Sequence, residues 1–172
     1  MVKTLKMDKV GYVAGMWDNY RVDIPYEPNE TFIVPFPNGG FLTHIDCALH
    51  LKLDRMRGVY IRKKYLTNLI RKIEITRRDG ICYYKVLDSE FLAWIGYLEE
   101  FNKSWKKLSF PIHFGLNKED VDDLSRGAVT DDVSLCVVWR ENKDRRFKII
   151  EGGFSFLSYI VPLSLPTKII YS

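Results

Sequence analysis

His44-Ile45-Asp46 is the triplet in this 172-residue chain whose residue types and spacing come nearest to metal chemistry. Residues i and i+2 of a β-strand share a face, so an imidazole and a carboxylate spaced this way can chelate one ion. With His113 as third ligand and Arg126 clamping a substrate carboxylate, the set would match a cupin-like Fe(II)/2-oxoglutarate dioxygenase. The phase of the surrounding segment argues against it. From Phe41 to Asp54 the odd positions are apolar except Thr43, and the even positions include His44, Asp46, His50, Lys52 and Asp54. The apolar set must fill a core, which leaves His44 and Asp46 on the outer face. His50, six strand residues from His44, is about 20 Å away and cannot complete the site.

Other chemistries find less support. No GxGxxG or Walker pattern exists, and Gly39-Gly40 and Gly152-Gly153 read as turn glycines rather than phosphate cradles. There is no GxSxG nucleophile elbow. Cys47, Cys82 and Cys136 are scattered and odd in number, so they read as strand-borne buried thiols in an intracellular compartment, not as a zinc or disulfide framework. No enzymatic activity, cofactor, metal or small-molecule substrate is expected.

The elements that must position these residues are mostly strands. Phe41–Asp54 would span about 40 Å, a tall strand. Tyr20–Tyr26, Phe32–Phe36, Leu108–Phe114 and Val133–Trp139 alternate in the same way, and Pro111 demands an edge or a bulge. Leu69–Thr76 and Ile81–Val86 flank Asp79-Gly80, a hairpin signal. Gly152-Gly153 separates Phe147–Ile150 from Phe154–Val161, and a last strand is expected near Lys168–Tyr171. Two helices interrupt: one from Asp88 or Ser89 to Phe101, with Phe91, Leu92, Trp94, Ile95, Leu98 and Phe101 on its inward stripe, and a short acidic one over Asn117–Leu124. Trp94 and Trp139 therefore read as core. Trp17 and Trp105 are left as exposed or interface aromatics, although the tryptophans could also form a sugar platform.

The composition is that of one folded domain of 172 residues, with residues 1–18 as a candidate extended arm. Apolar residues are 47% and aromatics 14%, which excludes linker-like or disordered chains. The longest apolar stretch, Phe154–Pro166, is too short for a membrane helix, and Met1–Val10 has no signal-peptide h-region. The net charge of +4 is too small for a dedicated nucleic-acid reader, but it is unevenly spread. Basic residues crowd Arg55–Arg78, among them Arg55, Arg57, Arg62, Lys63 and Lys64, and acids crowd Asn117–Asp132, among them Asp120, Asp122 and Asp123. Opposite blocks of this kind could face each other across a subunit boundary and set its register. The basic segment could also meet a genome or an internal membrane.

The order of features resembles the single jelly-roll major capsid proteins of tailless icosahedral DNA viruses of bacteria and archaea. The resemblance runs over about residues 20–160. It begins at Asn19-Tyr20-Arg21-Val22-Asp23-Ile24-Pro25 and continues through Pro37-Asn38-Gly39-Gly40 into the long Phe41 strand. The Leu69–Ile75 and Asp79-Gly80 hairpin follows, then Phe110-Pro111-Ile112-His113-Phe114 and Leu135-Cys136-Val137-Val138-Trp139. It implies an all-β, eight-stranded jelly-roll sandwich with one or two helical insertions. It also implies lateral packing with copies of itself or a paralogue into capsomers of a virion assembled in the host cytoplasm. It carries over no catalytic residue. The chain departs from the pattern in lacking a long basic N-terminal arm, having only Lys3, Lys6 and Lys9 there. The alternatives are the dioxygenase using His44, Asp46 and His113, a β-sandwich module binding carbohydrate or protein, and a small regulator binding nucleic acid.

Overall fold

The computed structural model describes residues 1–13, 17–87, 89–100, 104–114 and 129–162. Their strands are β1 (Val2–Thr4), β2 (Asp8–Val13), β3 (Trp17–Pro25), β4 (Thr31–Pro35), β5 (Gly40–Arg55), β6 (Ile70–Arg77), β7 (Cys82–Val86), β8 (Tyr97–Glu100), β9 (Trp105–His113), β10 (Val133–Trp139) and β11 (Phe147–Pro162). Two helices, α1 (Lys63–Thr67) and α2 (Ser89–Ile95), lie between β5 and β6 and between β7 and β8.

The strands form two sheets, ordered β1-β4-β10-β6-β7 and β2-β3-β11-β5-β9-β8. Within them, β4-β10-β6-β7 faces β3-β11-β5-β9, the eight-stranded jelly-roll arrangement that the resemblance implies. We call the first sheet A and the second sheet B. Three further strands extend the roll at its edges. β1 runs parallel to β4, β2 antiparallel to β3, and β8 antiparallel to β9. The described part of the expected extended arm, residues 1–13, is thus built into the roll, since β1 and β2 widen one side of each sheet, and Trp17 already begins β3. The reason is local. Leu5 donates its N–H to Ile33 O at 3.0 Å, and Met7 is buried, so this segment has a core to join.

The core is built from alternation. Val133, Leu135, Val137 and Trp139 of β10 all point inward, and Ile73 and Ile75 of β6 join them. Sheet B answers with Phe110, Phe154 and Phe156. Trp139 meets Tyr26 edge-on at 5.1 Å between ring centroids and lies 5.9 Å from Phe154, which meets Phe110 edge-on at 5.7 Å. Each such ring contributes roughly 1.5–3 kcal/mol through burial.

Two one-residue slips correct the uniform alternation read from sequence. Tyr159 pairs with His44 but Ile160 with Leu42, so Thr43 is a bulge and Leu42, not Phe41 or Thr43, faces the core. The Thr43 hydroxyl donates to Tyr159 O at 3.0 Å, which gives the extra residue a polar partner. A second slip falls at Ile150, between pairs Ile149↔Leu53 and Glu151↔Lys52. Gly152-Gly153 is therefore no turn, and β11 is one strand of 16 residues. The glycines are needed because β11 passes close to both neighbours. A Cβ on Gly153 would run into the Ile24 carbonyl, and one on Gly152, at φ 124°, into that of His50.

The helices differ most from expectation. α2 stops at Ile95 because Gly96 packs against Leu108 and the Leu92 carbonyl, where a Cβ would clash. Tyr97–Glu100 then pairs with β9 as β8. Of the expected inward stripe Leu92 is buried and Ile95 and Leu98 are half-buried, whereas Phe91 and Trp94 are exposed, Trp94 by 82%. In a helix of seven residues, about two turns, Leu92 and Ile95 share one face and Phe91 and Trp94 fall on another. α1, with Leu66 as its one buried large side chain, is too short to leave a periodic signature. The expected helix over Asn117–Leu124 and the strand near Lys168–Tyr171 lie outside the described residues. Cys47 is buried and Cys136 half-buried, but Cys82, at the open start of β7, is exposed. Pro111 sits beyond the reach of β8, which pairs only with Lys106–Ser109, so no partner strand lacks a donor there.

Candidate functional site

His44, Asp46 and His113 all lie on the outer face of sheet B, as the strand phase required. His44 pairs directly across the strands with His113, and the rings lie 5.8 Å apart. On its other side His44 stacks on Tyr159 at 3.9 Å, whose hydroxyl donates to Asp46 Oδ2 at 3.1 Å. The result is a stack of three rings with one carboxylate pinned to its edge. Stacking sets ring faces together and does not converge nitrogen lone pairs on one point, which is what a facial triad needs. Among the described residues no group of three His, Cys, Asp or Glu side chains is placed to hold a metal ion. Arg126, the expected clamp, lies outside them. Partial burial lowers the His44 pKa, a shift the Asp46 charge opposes and His113 reinforces. The Tyr159 phenol is held above its usual range, first by desolvation and then by its bond to Asp46.

The interface candidates separate into different regions. Arg55–Arg78 is continuous in sequence but not in space. Arg57, Arg62 and Lys64 are exposed on the loop carrying α1, whereas Arg78 is exposed beyond the other end of β6, about 25 Å of strand away. Arg55 donates to Val59 O at 3.3 Å within the loop, and Lys63 to Gly96 O at 2.8 Å, which ties the loop to the end of α2. The block is not one basic face. Asp120, Asp122 and Asp123 lie outside the described residues. Of the same acidic stretch, Asp131 Oδ1 accepts from Gly39 N at 2.7 Å and ties down the turn before β5. Trp17 is half-buried, and Trp105 is half-buried with its ring 4.5 Å from that of His50.

Three features were not legible in the sequence. The first is an end cleft of about 630 Å³ between the loops that follow β3, β5, β7 and β10. Two of the charges that line it occupy each other. Asp144 takes Arg146 in a paired bond at 2.9 and 2.6 Å, and Arg146 covers the Tyr65 ring at 3.9 Å. The second is the exposed apolar flank of Leu87, Phe91 and Trp94 on and before α2. The third is a trough across sheet B. Its floor is one cross-strand row of small residues, Ser155 of β11, Ala48 of β5 and Ser109 of β9, closed at its ends by Asp23 and Tyr97. One wall is the row Arg21, Leu157, Asp46 and Pro111, and the other is Gly153, His50 and Lys107. The alternation shows that Ala48, Ser109 and Ser155 point outward, but only the strand pairing reveals that they stand in line.

The chain matches no protein-family model, and no curated protein is detectably similar to it.

Proposed function

We propose that the protein is a structural capsid subunit that packs side by side, through the α2 flank, into the capsomers of an icosahedral virion. The observation that carries this is the exposed aromatic flank on a jelly roll. Phe91 and Trp94 stand on the helix that links the last strands of the two sheets, with Leu87 beside them. A large apolar group held out in water is unfavourable unless another surface covers it, and aromatic side chains are the preferred anchors of such contacts. The two sixteen-residue strands supply a tall, stiff wall for lateral packing. The partners in this reading are further copies of the chain or a paralogous subunit. The exposed cations Arg57, Arg62 and Lys64 at one end would face genome or membrane.

The test is assembly. Purified protein examined by sedimentation velocity and electron microscopy should move from monomer to closed assemblies as concentration rises. The double variant Phe91→Ser, Trp94→Ser should keep the wild-type circular dichroism and remain monomeric. A wild type that stays monomeric at millimolar concentration, or a double variant that assembles as the wild type does, overturns the proposal.

A further inference from the structure

From the trough across sheet B we infer a second role, reached from a different surface than the α2 flank: a binding site for a short run of neutral sugar units. Its geometry suits an extended ligand. The floor crosses from β3 to β8, four strand spacings or about 19 Å, and the two walls stand about four residues apart along the strands, roughly 13 Å between backbones. The hollow over Ala48 and Ser109 measures about 610 Å³. It continues into a second of about 340 Å³, reached where Gly152 and Gly153 leave a gap in the wall. Arg21, His50 and Ser155 border both hollows. The Trp105 ring borders the second, braced on His50.

The chemistry narrows the ligand class. Sugars present apolar C–H faces and rims of hydroxyls, and so need flat aromatic surface beside polar groups that both donate and accept. Trp105 and Tyr97 supply the rings, and Tyr97 stands 69% exposed at the end of the floor. Ser109 and Ser155 offer hydroxyls that make no side-chain hydrogen bond among the described residues. Arg21, Asp46 and His50 add donors and acceptors on the walls.

Neutrality follows from charge compensation. Arg21 is paired with Asp23 at 3.2 Å, Lys107 stands directly across the strands from Glu99, and Asp46 is held by Tyr159. An acidic ligand would have to compete with these carboxylates, and a neutral polar one would not. A peptide strand is disfavoured because the trough crosses the strands, whose backbone groups already serve the sheet ladder.

The experiment titrates full-length protein with cellohexaose, mannohexaose and N-acetylchitohexaose, and with hexagalacturonate as the acidic control, followed by amide NMR shifts and calorimetry. At least one neutral series should bind and shift the Ala48, Ser109 and Ser155 amides. Affinity should climb with chain length and level off once the trough of about 19 Å is filled. Trp105→Ala should weaken binding about tenfold. Ala48→Phe, which fills the floor, should abolish binding without lowering the melting temperature by more than a few degrees. If Ala48→Phe unfolds the chain, Ser109→Leu provides the same block. No binding by any neutral series at millimolar ligand, tighter binding of the acidic control, or shifts away from the trough would each overturn the inference. Assembly is read separately through Phe91 and Trp94, so either proposal can fail while the other stands.

Discussion

The two outer faces of the sandwich come from the same alternation and yet differ in the side chains that surround their hollows. On sheet A, Lys72 and Glu74 of β6 and Lys85 of β7 form a charged ladder, with Lys72 Nζ 3.5 Å and Lys85 Nζ 3.9 Å from Glu74 Oε2. On sheet B, a row of small residues lies between the row of Arg21, Leu157, Asp46 and Pro111 and the pair His50 and Lys107, which leaves a trough. An outer face is free of the packing demand that fixes the core, so its relief depends on which residue sizes fall into cross-strand register. Sheet A sets its charge ladder beside a hollow of about 680 Å³ over Thr76, Ser134 and Cys136. Sheet B combines a ring stack, compensated charges and an open floor.

The largest break in this comparison should come at Gly153. Gly153→Ala places a Cβ against the Ile24 carbonyl and should cost about 3 kcal/mol or more, read by chemical denaturation. Gly11→Ala, where nothing lies within 4 Å, should leave stability nearly unchanged. A mild Gly153 variant would mean that β3 and β11 are not so tightly apposed. Tyr159→Phe comes next. It removes the donor to Asp46 but keeps the stack on His44, and should cost about 0.5–1.5 kcal/mol. The smaller effect belongs to sheet A, where Glu74→Ala leaves Lys72 and Lys85 without their shared partner. A loss of up to about 1 kcal/mol that shrinks in high salt is expected, and a salt-independent loss would argue against the ladder.

The smallest effect is a pH dependence confined to sheet B. His44 and His50 both have pKa values lowered from 6.5, chiefly by burial, with Lys107 also acting on His50. The unfolded chain therefore takes up protons at these positions first as pH falls. Their contribution is intact above pH 6.5 and declines below it, until the folded imidazoles are protonated as well. Imidazole NMR titrations should place both midpoints below 6.5, and a midpoint above that value for either would reverse the sign.

Much of this molecule is legible in the order of its residues. The outward phase of His44 and Asp46 followed from Ile45, Cys47, Leu49 and Leu51 filling the other face, and the inward phase of Trp139 followed from Val133, Leu135 and Val137. The errors cluster where period 2 breaks. Thr43 and Ile150 are single extra residues that shift phase without any local mark. Gly152-Gly153 looks like a turn in sequence, because a glycine pair reads alike whether the chain reverses or squeezes between neighbours. Trp94 falls on an inward stripe only if one helix runs through residues that fold as α2 and then β8. The basic block Arg55–Arg78 looked like a single patch because proximity along the chain says nothing of a strand that carries its end to the far side of the roll.

The amino-acid sequence by itself determined that this is a β protein, which residues of its regular strands line the interior, and that its HxD pair lies outside. Those are consequences of one-dimensional periodicity, since each strand must hide one face. What only the tertiary structure decided is which outward residues stand side by side: the ring stack of His113, His44 and Tyr159, the floor of Ser155, Ala48 and Ser109, and the exposed α2 flank. Lateral neighbours in a sheet come from strand order and register. Those are settled by the packing of the whole roll and leave no pattern along a single strand.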